Sequence, residues 1–207
     1  MRVHASSRNS IVLLFFVVLL GVGLLCFNDY GIAWDEKARY MLGKDAFDTV
    51  FHGKEWTQVQ GRRFHGPLMD FVLYAVEKML SLESARTIFL VRHLLSFLVF
   101  YVGIVFFFLL SRYHFRSYVI PILGSAMLAL SPRIFGQSFF NSMDVPSLTF
   151  FTIAVFTLLR FLDRPTISRA LIHALACAVV IAIRVTGALL PLLTLFMFLV
   201  STRRAYK

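Results

Sequence analysis

The sequence has few charged residues, and this scarcity excludes an ordinary soluble domain. Charged residues make up 15% of the 207 positions, whereas soluble domains carry about 25%. Hydrophobic residues make up 58%, and many of them form runs without a charge, such as 11–27 and 96–111. A helix of roughly 20 apolar residues crosses a bilayer and satisfies its own backbone hydrogen bonds in lipid. The runs therefore predict membrane-spanning helices.

The sequence also has only two cysteines and lacks a signal-peptide cleavage site. Cys26 and Cys177 both fall in apolar runs, so the chain offers no disulfide framework and no thiol or metal pair. No small-x-small cleavage site follows the first apolar run, and Leu24 and Leu25 leave no small residue before Cys26 for lipidation. The run 11–27 is predicted to be an uncleaved anchor.

The chain lacks a basic patch interleaved with aromatic residues, which argues against nucleic-acid binding despite a net charge of +10. The segment 28–86 is about neutral, while basic residues flank the apolar runs on alternate sides. This pattern predicts a cytoplasmic N-terminus and exterior loops at about 28–86 and 131–144. The flanking basic residues are Arg2, Arg8, Arg112, Arg116, Arg160, Arg164, Arg169, Arg203, Arg204 and Lys207.

The predicted fold is an all-α integral membrane protein with about five or six transmembrane helices. The stretch 170–200 would be roughly 46 Å long at about 1.5 Å per residue, too long for one span and short for two. A break at 184–187 and the basic residues after it favour two spans, although one remains an alternative. The predicted spans are about 11–27, 87–110, 118–130, 145–162, 170–183 and 187–200.

Two amphipathic helices are predicted in the first exterior loop, lying on the membrane surface. The second runs over about 67–80 with Pro67 in its first turn, and carries Asp70. Apolar residues at helical spacing define the first: Ala38, Met41, Leu42, Ala46 and Val50.

Asp35 and Glu36 are the most suggestive acids, because they follow the first span directly. Adjacent helical residues point about 100° apart, so one carboxylate would act on a substrate while the other holds the loop or a cation. The alternative is structural: Asp35 caps the first surface helix and Glu36 complements its dipole.

The second exterior loop and the last apolar stretch supply further candidates, each with a structural alternative. Asp144 is either a functional acid or a cap of the following span, and Arg133 either a substrate contact or a headgroup anchor. Arg184 either faces a polar cavity or marks a turn, and His65 fits a plain turn equally well. Arg92 and His93, within a predicted span, pose the same question as Arg184.

Four stretches together resemble the membrane-embedded C-type glycosyltransferases, and more narrowly the dolichyl-phosphate-mannose protein mannosyltransferase family and its bacterial relatives. Their order relative to the predicted spans carries the resemblance. It implies that 1–207 is the N-terminal transmembrane catalytic module of a longer type of protein in the bacterial inner membrane. The stretches are 34–36, 64–68, 131–146 and 183–187.

The resemblance implies transfer of a sugar from a polyprenyl-phosphate donor to an acceptor hydroxyl of a protein, lipid or glycan on the exterior face. Asp35 would be the general base, with Glu36 and Asp144 as further acids that orient the acceptor or hold a divalent cation. Nearby cations would stabilise the leaving phosphate. The implied substrate-binding residues are His65, Arg133, Asn141 and Arg184.

The chain departs from the bacterial pattern in its second loop. It reads Asn141-Ser142-Met143-Asp144 where relatives often have Asn-Pro-Lys-Asp, so one candidate phosphate contact is missing. The alternative to an enzyme is a non-catalytic or truncated membrane protein that acts as a subunit or is a remnant. A transporter is a third reading, although the acids gather beside span ends rather than at mid-membrane.

Overall fold

The computed structural model describes residues 2–56, 66–115 and 117–205. In these residues nine α-helices and one short 3-10 helix form, and no strand occurs, which confirms the predicted all-α class. In chain order the elements are α1 (Arg2–Cys26), α2 (Glu36–His52), α3 (Leu68–Met79), α4 (Ala85–His114), α5 (Val119–Ala129), α6 (Pro132–Phe140), α7 (Asp144–Asp163), α8 (Ile167–Ile183), the 3-10 helix Val185–Ala188 and α9 (Leu189–Ala205).

The chain is a membrane protein by the length and composition of its helices. Within the described ranges, Asn9–Cys26 of α1, α4 and α7 are each long and apolar enough to cross a bilayer. The bent pair α5 and α6 qualifies as a fourth span if the two are counted together. Ile167–Ile183 and Val185–Val200 are apolar but shorter, so a count of five or six spans stays a prediction.

The centre of the bundle is α4, which packs against α7, α5 and α6. Thr149 of α7 donates a hydrogen bond of 3.1 Å to the carbonyl of Val99 in α4. A Cβ atom at Gly103 would lie 2.4 Å from Oγ1 of the same threonine, so only glycine permits this approach. The close contact aligns α4 and α7, which run in the same direction.

The two ends of the bundle differ in chemistry. Where α7 begins and α8 ends, Asp144 pairs with Arg184, and we call this the ion-pair end. At the opposite end the hydroxyl of Tyr113 donates to Asp163, and Nη1 of Arg169 donates to the carbonyl of Arg160 at 2.7 Å. The acids singled out in the sequence therefore gather at the ion-pair end.

The segment predicted as the second exterior loop, 131–144, contains a helix that the sequence did not predict. The helix α5 ends at Ala129, and α6 begins at Pro132 after a bend of 64°. Proline disfavours helical backbone in the residue before it, here the extended Ser131, and is well suited to the first helical turn. The proline thus stops one helix and starts the next.

The break predicted within 170–200 is confirmed. The helix α8 ends at Ile183, and Arg184 is extended before the 3-10 helix Val185–Ala188. A Cβ atom at Gly187 would lie 2.6 Å from a methyl carbon of Val180, so glycine allows the turn to fold against α8. The break places Arg184 at the mouth of the bundle rather than inside a continuous helix.

Aromatic stacking anchors the chain that leads from α1 toward the first surface helix. The ring of Tyr30 stacks on Phe139 of α6 at 4.4 Å between centroids, and Phe139 stacks on Phe97 of α4 at 5.2 Å. Phe97 fills the space beside Gly23, where a Cβ atom would lie 1.8 Å from the ring. The loop that carries Asp35 is therefore held at its base by a buried aromatic stack.

Candidate functional site

Six ionisable side chains lie buried at the ion-pair end, where α2 and α3 pack on α4. Each is at most 4% exposed. Buried charges are costly unless they are paired, and these residues contact one another. We call the group the buried cluster: Glu36, Arg39, Asp70, Glu77, Arg92 and His93.

Asp70 lies at the centre of the buried cluster. Its carboxylate is 2.7 Å from Nη2 of Arg39 and 3.7 Å from Nη2 of Arg92. The hydroxyl of Ser142 donates to it at 2.6 Å. Asp70, predicted only to lie on a surface helix, is fully buried, because the inward face of α3 carries this acid into the contact with α2 and α4.

The buried face of the first surface helix combines charged and apolar residues. Met41 and Val50, part of the apolar stripe predicted to lie on the membrane surface, are 50% and 66% exposed within the protein. The buried positions are Glu36, Arg39, Leu42, Gly43 and Ala46. The stripe that faces the protein therefore combines ion pairs with apolar contacts, which hydrophobic periodicity alone does not indicate.

Tyr40 and Glu77 extend the buried cluster along α2 and α3. The Tyr40 hydroxyl donates to Oε1 of Glu77 at 3.1 Å, and the Arg92 guanidinium lies 5.7 Å from the centre of the Tyr40 ring. Burial and the neighbouring Glu77 carboxylate raise the pKa of Tyr40 to about 12. The phenol is therefore neutral at physiological pH and acts as a donor.

The adjacent acids Asp35 and Glu36 have different surroundings. The predicted helix start is confirmed, with Asp35 at the N-cap position, but its backbone is helical and its side chain makes no capping bond. Glu36 turns inward: Oε1 lies 2.9 Å from Nε2 of His93, and Oε2 accepts the Ala33 N–H at 2.6 Å. Asp35 is partly exposed, so one acid holds the loop and the other faces outward.

Asp144 begins α7 and pairs with Arg184 from the end of α8, with the two side chains 46% and 42% exposed. Asn141 caps this helix, since its Oδ1 accepts the N–H groups of Met143 and Asp144 at 3.1 and 2.7 Å. Its Nδ2 donates to Oδ2 of Asp144 at 3.1 Å. The result is an accessible guanidinium beside a carboxylate and an amide.

Arg39 links the first loop to the second. Its Nε lies 3.4 Å from the Ser142 hydroxyl, and its Nη1 lies 3.7 Å from the sulfur of Met143. Met143 directly precedes Asp144. The buried cluster therefore connects the turn of Asp35 to the start of α7, although the two acids are far apart in sequence.

The other two predicted substrate-binding residues are Arg133 and His65. Arg133 is exposed in the first turn of α6, away from the bonds that join Asn141, Asp144 and Arg184. His65 lies outside the described residues. Within the described part of the chain, no three His, Cys, Asp or Glu side chains converge as a metal site, and the divalent cation stays a prediction.

An apolar cavity of about 490 Å³ lies between α3, α4, α7 and α8. It begins beside the α3 residues that flank Asp70 and continues along the spanning helices, so a hydrocarbon chain of suitable width fits its chemistry. Its walls include Met69, Val72, Leu98, Val102 and Phe150.

No family model, curated protein or solved structure matches this chain.

Proposed function

We propose that the chain is a membrane glycosyltransferase, or the N-terminal part of one, that uses a polyprenyl-phosphate sugar donor. The observation that carries the proposal is the difference in burial and bonding between Asp35 and Glu36. Glu36 is buried and bonded to His93, whereas Asp35 lies partly exposed on the turn that Glu36 closes. A base must be reachable by the proton that it abstracts, and Asp35 meets this condition.

In the proposed reaction, a carboxylate oxygen of Asp35 accepts the proton of the acceptor hydroxyl. The hydroxyl oxygen attacks the anomeric carbon of the donor sugar. The bond from that carbon to the lipid phosphate breaks, and its electron pair stays on the phosphate oxygen. Attack from the face opposite the leaving group inverts the anomeric configuration.

Arg184 is the cation that we assign to the leaving phosphate. Its guanidinium is 42% exposed and is held by Asp144, which orients it without burying it. A positioned cation stabilises charge that develops on a leaving oxygen. The apolar cavity beside α3 and α4 supplies a path for the polyprenyl chain, so donor phosphate and lipid would be bound at one end of the bundle.

We assign the site to the exterior face of a bacterial inner membrane, with the N-terminus in the cytoplasm. The supporting observation is the distribution of basic residues, which flank the end opposite Asp144 and Arg184. Arg112, Arg160 and Arg169 all lie at that opposite end of the helices.

The alternative is a non-catalytic membrane subunit. It is favoured by the mutual pairing of the buried cluster, since Glu36, Arg39 and Asp70 already have partners within the chain. A scaffold needs such pairing and nothing more. Asp35 separates the enzyme from the subunit, because the function of a scaffold does not depend on the Asp35 carboxylate.

The test is transfer of radiolabelled sugar from a panel of polyprenyl-phosphate donors in membranes that contain the chain. Asp35→Asn should abolish transfer while leaving membrane insertion intact. Asp29→Asn, at an exposed acid of the same loop, is the matched control and should retain it. Equal activity in both variants would refute the role of Asp35, and no transfer by any form would favour the subunit.

A further inference from the structure

The turn that carries Asp35 is closed by both the backbone and the side chain of Glu36. The Glu36 N–H donates to the Ala33 carbonyl at 3.2 Å. The Glu36 carboxylate accepts the Ala33 N–H at 2.6 Å. Trp34 and Asp35 form the centre of this turn, so their position depends on where the Glu36 carboxylate is held.

His93 holds that carboxylate from α4. The imidazole is 1% exposed, and its Nε2 lies 2.9 Å from Oε1 of Glu36. An ionised carboxylate only accepts hydrogen bonds, so Nε2 is the donor. No other described side chain hydrogen-bonds to Glu36, which makes His93 the link between the turn and the spanning helix.

We propose that His93 is a positioning residue for Asp35. It acts through Glu36, which it keeps turned into the protein, and it thereby fixes the turn that presents Asp35 to the acceptor. The inference rests on the proposed function for its kinetic part, whereas the restraint on the turn is a property of the fold. His93 itself does not contact the substrate.

Loss of the imidazole donor leaves the buried Glu36 carboxylate without a hydrogen bond from any described side chain, although the Arg92 guanidinium still attracts it. A buried carboxylate that loses a hydrogen-bond donor is less well compensated, so it should turn toward water and release the Ala33 N–H. Displacing a catalytic group by about 1 Å costs on the order of 100-fold in rate. We therefore expect His93→Phe to lower kcat by about that factor, with a much smaller change in KM.

The restraint can be measured without any substrate. The chain has two tryptophans, and Trp34 is 92% exposed within the turn. In a Trp56→Phe background, fluorescence anisotropy of purified full-length protein in detergent reports the motion of Trp34 alone. His93→Phe should lower the anisotropy, and His93→Gln, which keeps a donor, should largely restore it.

His52→Phe is the matched control, because His52 is exposed and pairs with Asp48 on α2. It should leave the anisotropy and kcat unchanged. Glu36→Ala should lower the anisotropy as much as His93→Phe, and the double variant should go no lower, since both act through one contact. His93→Gln covers the case in which His93→Phe folds poorly, because it keeps a donor.

The outcomes separate the two proposals. Unchanged Trp34 anisotropy in both His93→Phe and Glu36→Ala would overturn the positioning role. A lower anisotropy with a matching loss of kcat supports it, as does recovery of both in His93→Gln. A lower anisotropy with normal kcat would overturn it too. Absence of transfer by the unmodified chain would refute the proposed function, and the anisotropy would then still show whether His93 restrains the turn.

Discussion

The guanidinium of Arg39 and the carboxylate of Asp70 meet at 2.7 Å where α2 crosses α3, and both side chains are buried. This pair joins two helices that each carry part of the candidate site. Arg39 also contacts Ser142 in the segment before Asp144, and Asp70 also pairs with Arg92 of α4. The geometry at Asp35 thus depends on charges that take no part in the proposed chemistry.

We expect Asp70→Asn to destabilise the protein strongly. It leaves Arg39 buried without its paired carboxylate and removes one of three carboxylates that attract Arg92. Removal of one member of a buried pair costs about 3 to 5 kcal/mol. Denaturant titration of the purified protein in mixed micelles, followed by circular dichroism, measures the change. Asp29→Asn at an exposed site should stay within about 0.5 kcal/mol of the unmodified chain; similar effects of the two substitutions would mean that Asp70 is solvated.

Gly43→Ala should separate α2 from α3. A Cβ atom at this position would lie 2.3 Å from the backbone oxygen of Asp70, which cannot move without shifting α3. Overpacking of this kind costs about 1 to 3 kcal/mol. Gly21→Ala is the control, since a Cβ atom at Gly21 would have no neighbour within 4 Å. The same titration should show a loss for Gly43→Ala alone, and equal stability of the two variants would contradict the close crossing.

The contribution of Tyr40 to stability should disappear in strong alkali. Its pKa is raised from 10.0 in the ordinary phenol to about 12 in the folded chain. A raised pKa in the folded state stabilises the protein fully below pH 10, and this stabilisation is lost as the pH rises toward 12. The difference in unfolding free energy between the unmodified chain and Tyr40→Phe should therefore shrink over that range. A constant difference would show that burial and Glu77 do not perturb the phenol.

Local signals in the sequence predicted several elements correctly. Asp35 marks the start of α2, Pro67 immediately precedes α3, and Gly187 lies in the break after α8. Each depends on residues within a few positions, where backbone preferences decide the outcome. The helix α6 was missed because its polar residues suggested a loop, although Pro132 after Ser131 is a recognisable helix start.

The buried cluster could not be predicted from local pattern, since its partners are distant along the chain. Glu36 and His93 are 57 residues apart, and Ser142 and Asp70 are 72 apart. Charge within a span was a signal for Arg92 and His93, but the sequence did not show that the partners would come from the surface helices. The spacing of Glu36 and Arg39 on one helical face was the clue to a buried polar stripe.

The positions of these residues along the chain also set the order in which this end of the molecule assembles during synthesis. Arg39 and Asp70 belong to the same loop, so the ion pair can neutralise both charges as soon as α2 and α3 have formed. The imidazole of His93 arrives next with α4, and the hydroxyl of Ser142 follows only after α5 and α6. Chains fold from the N-terminal side as they emerge. In a nascent chain halted before Ser142, the loop would thus have its Arg39–Asp70 pair but not the Ser142 hydrogen bond. A protease added to such stalled chains would cleave this loop more readily than in the finished protein.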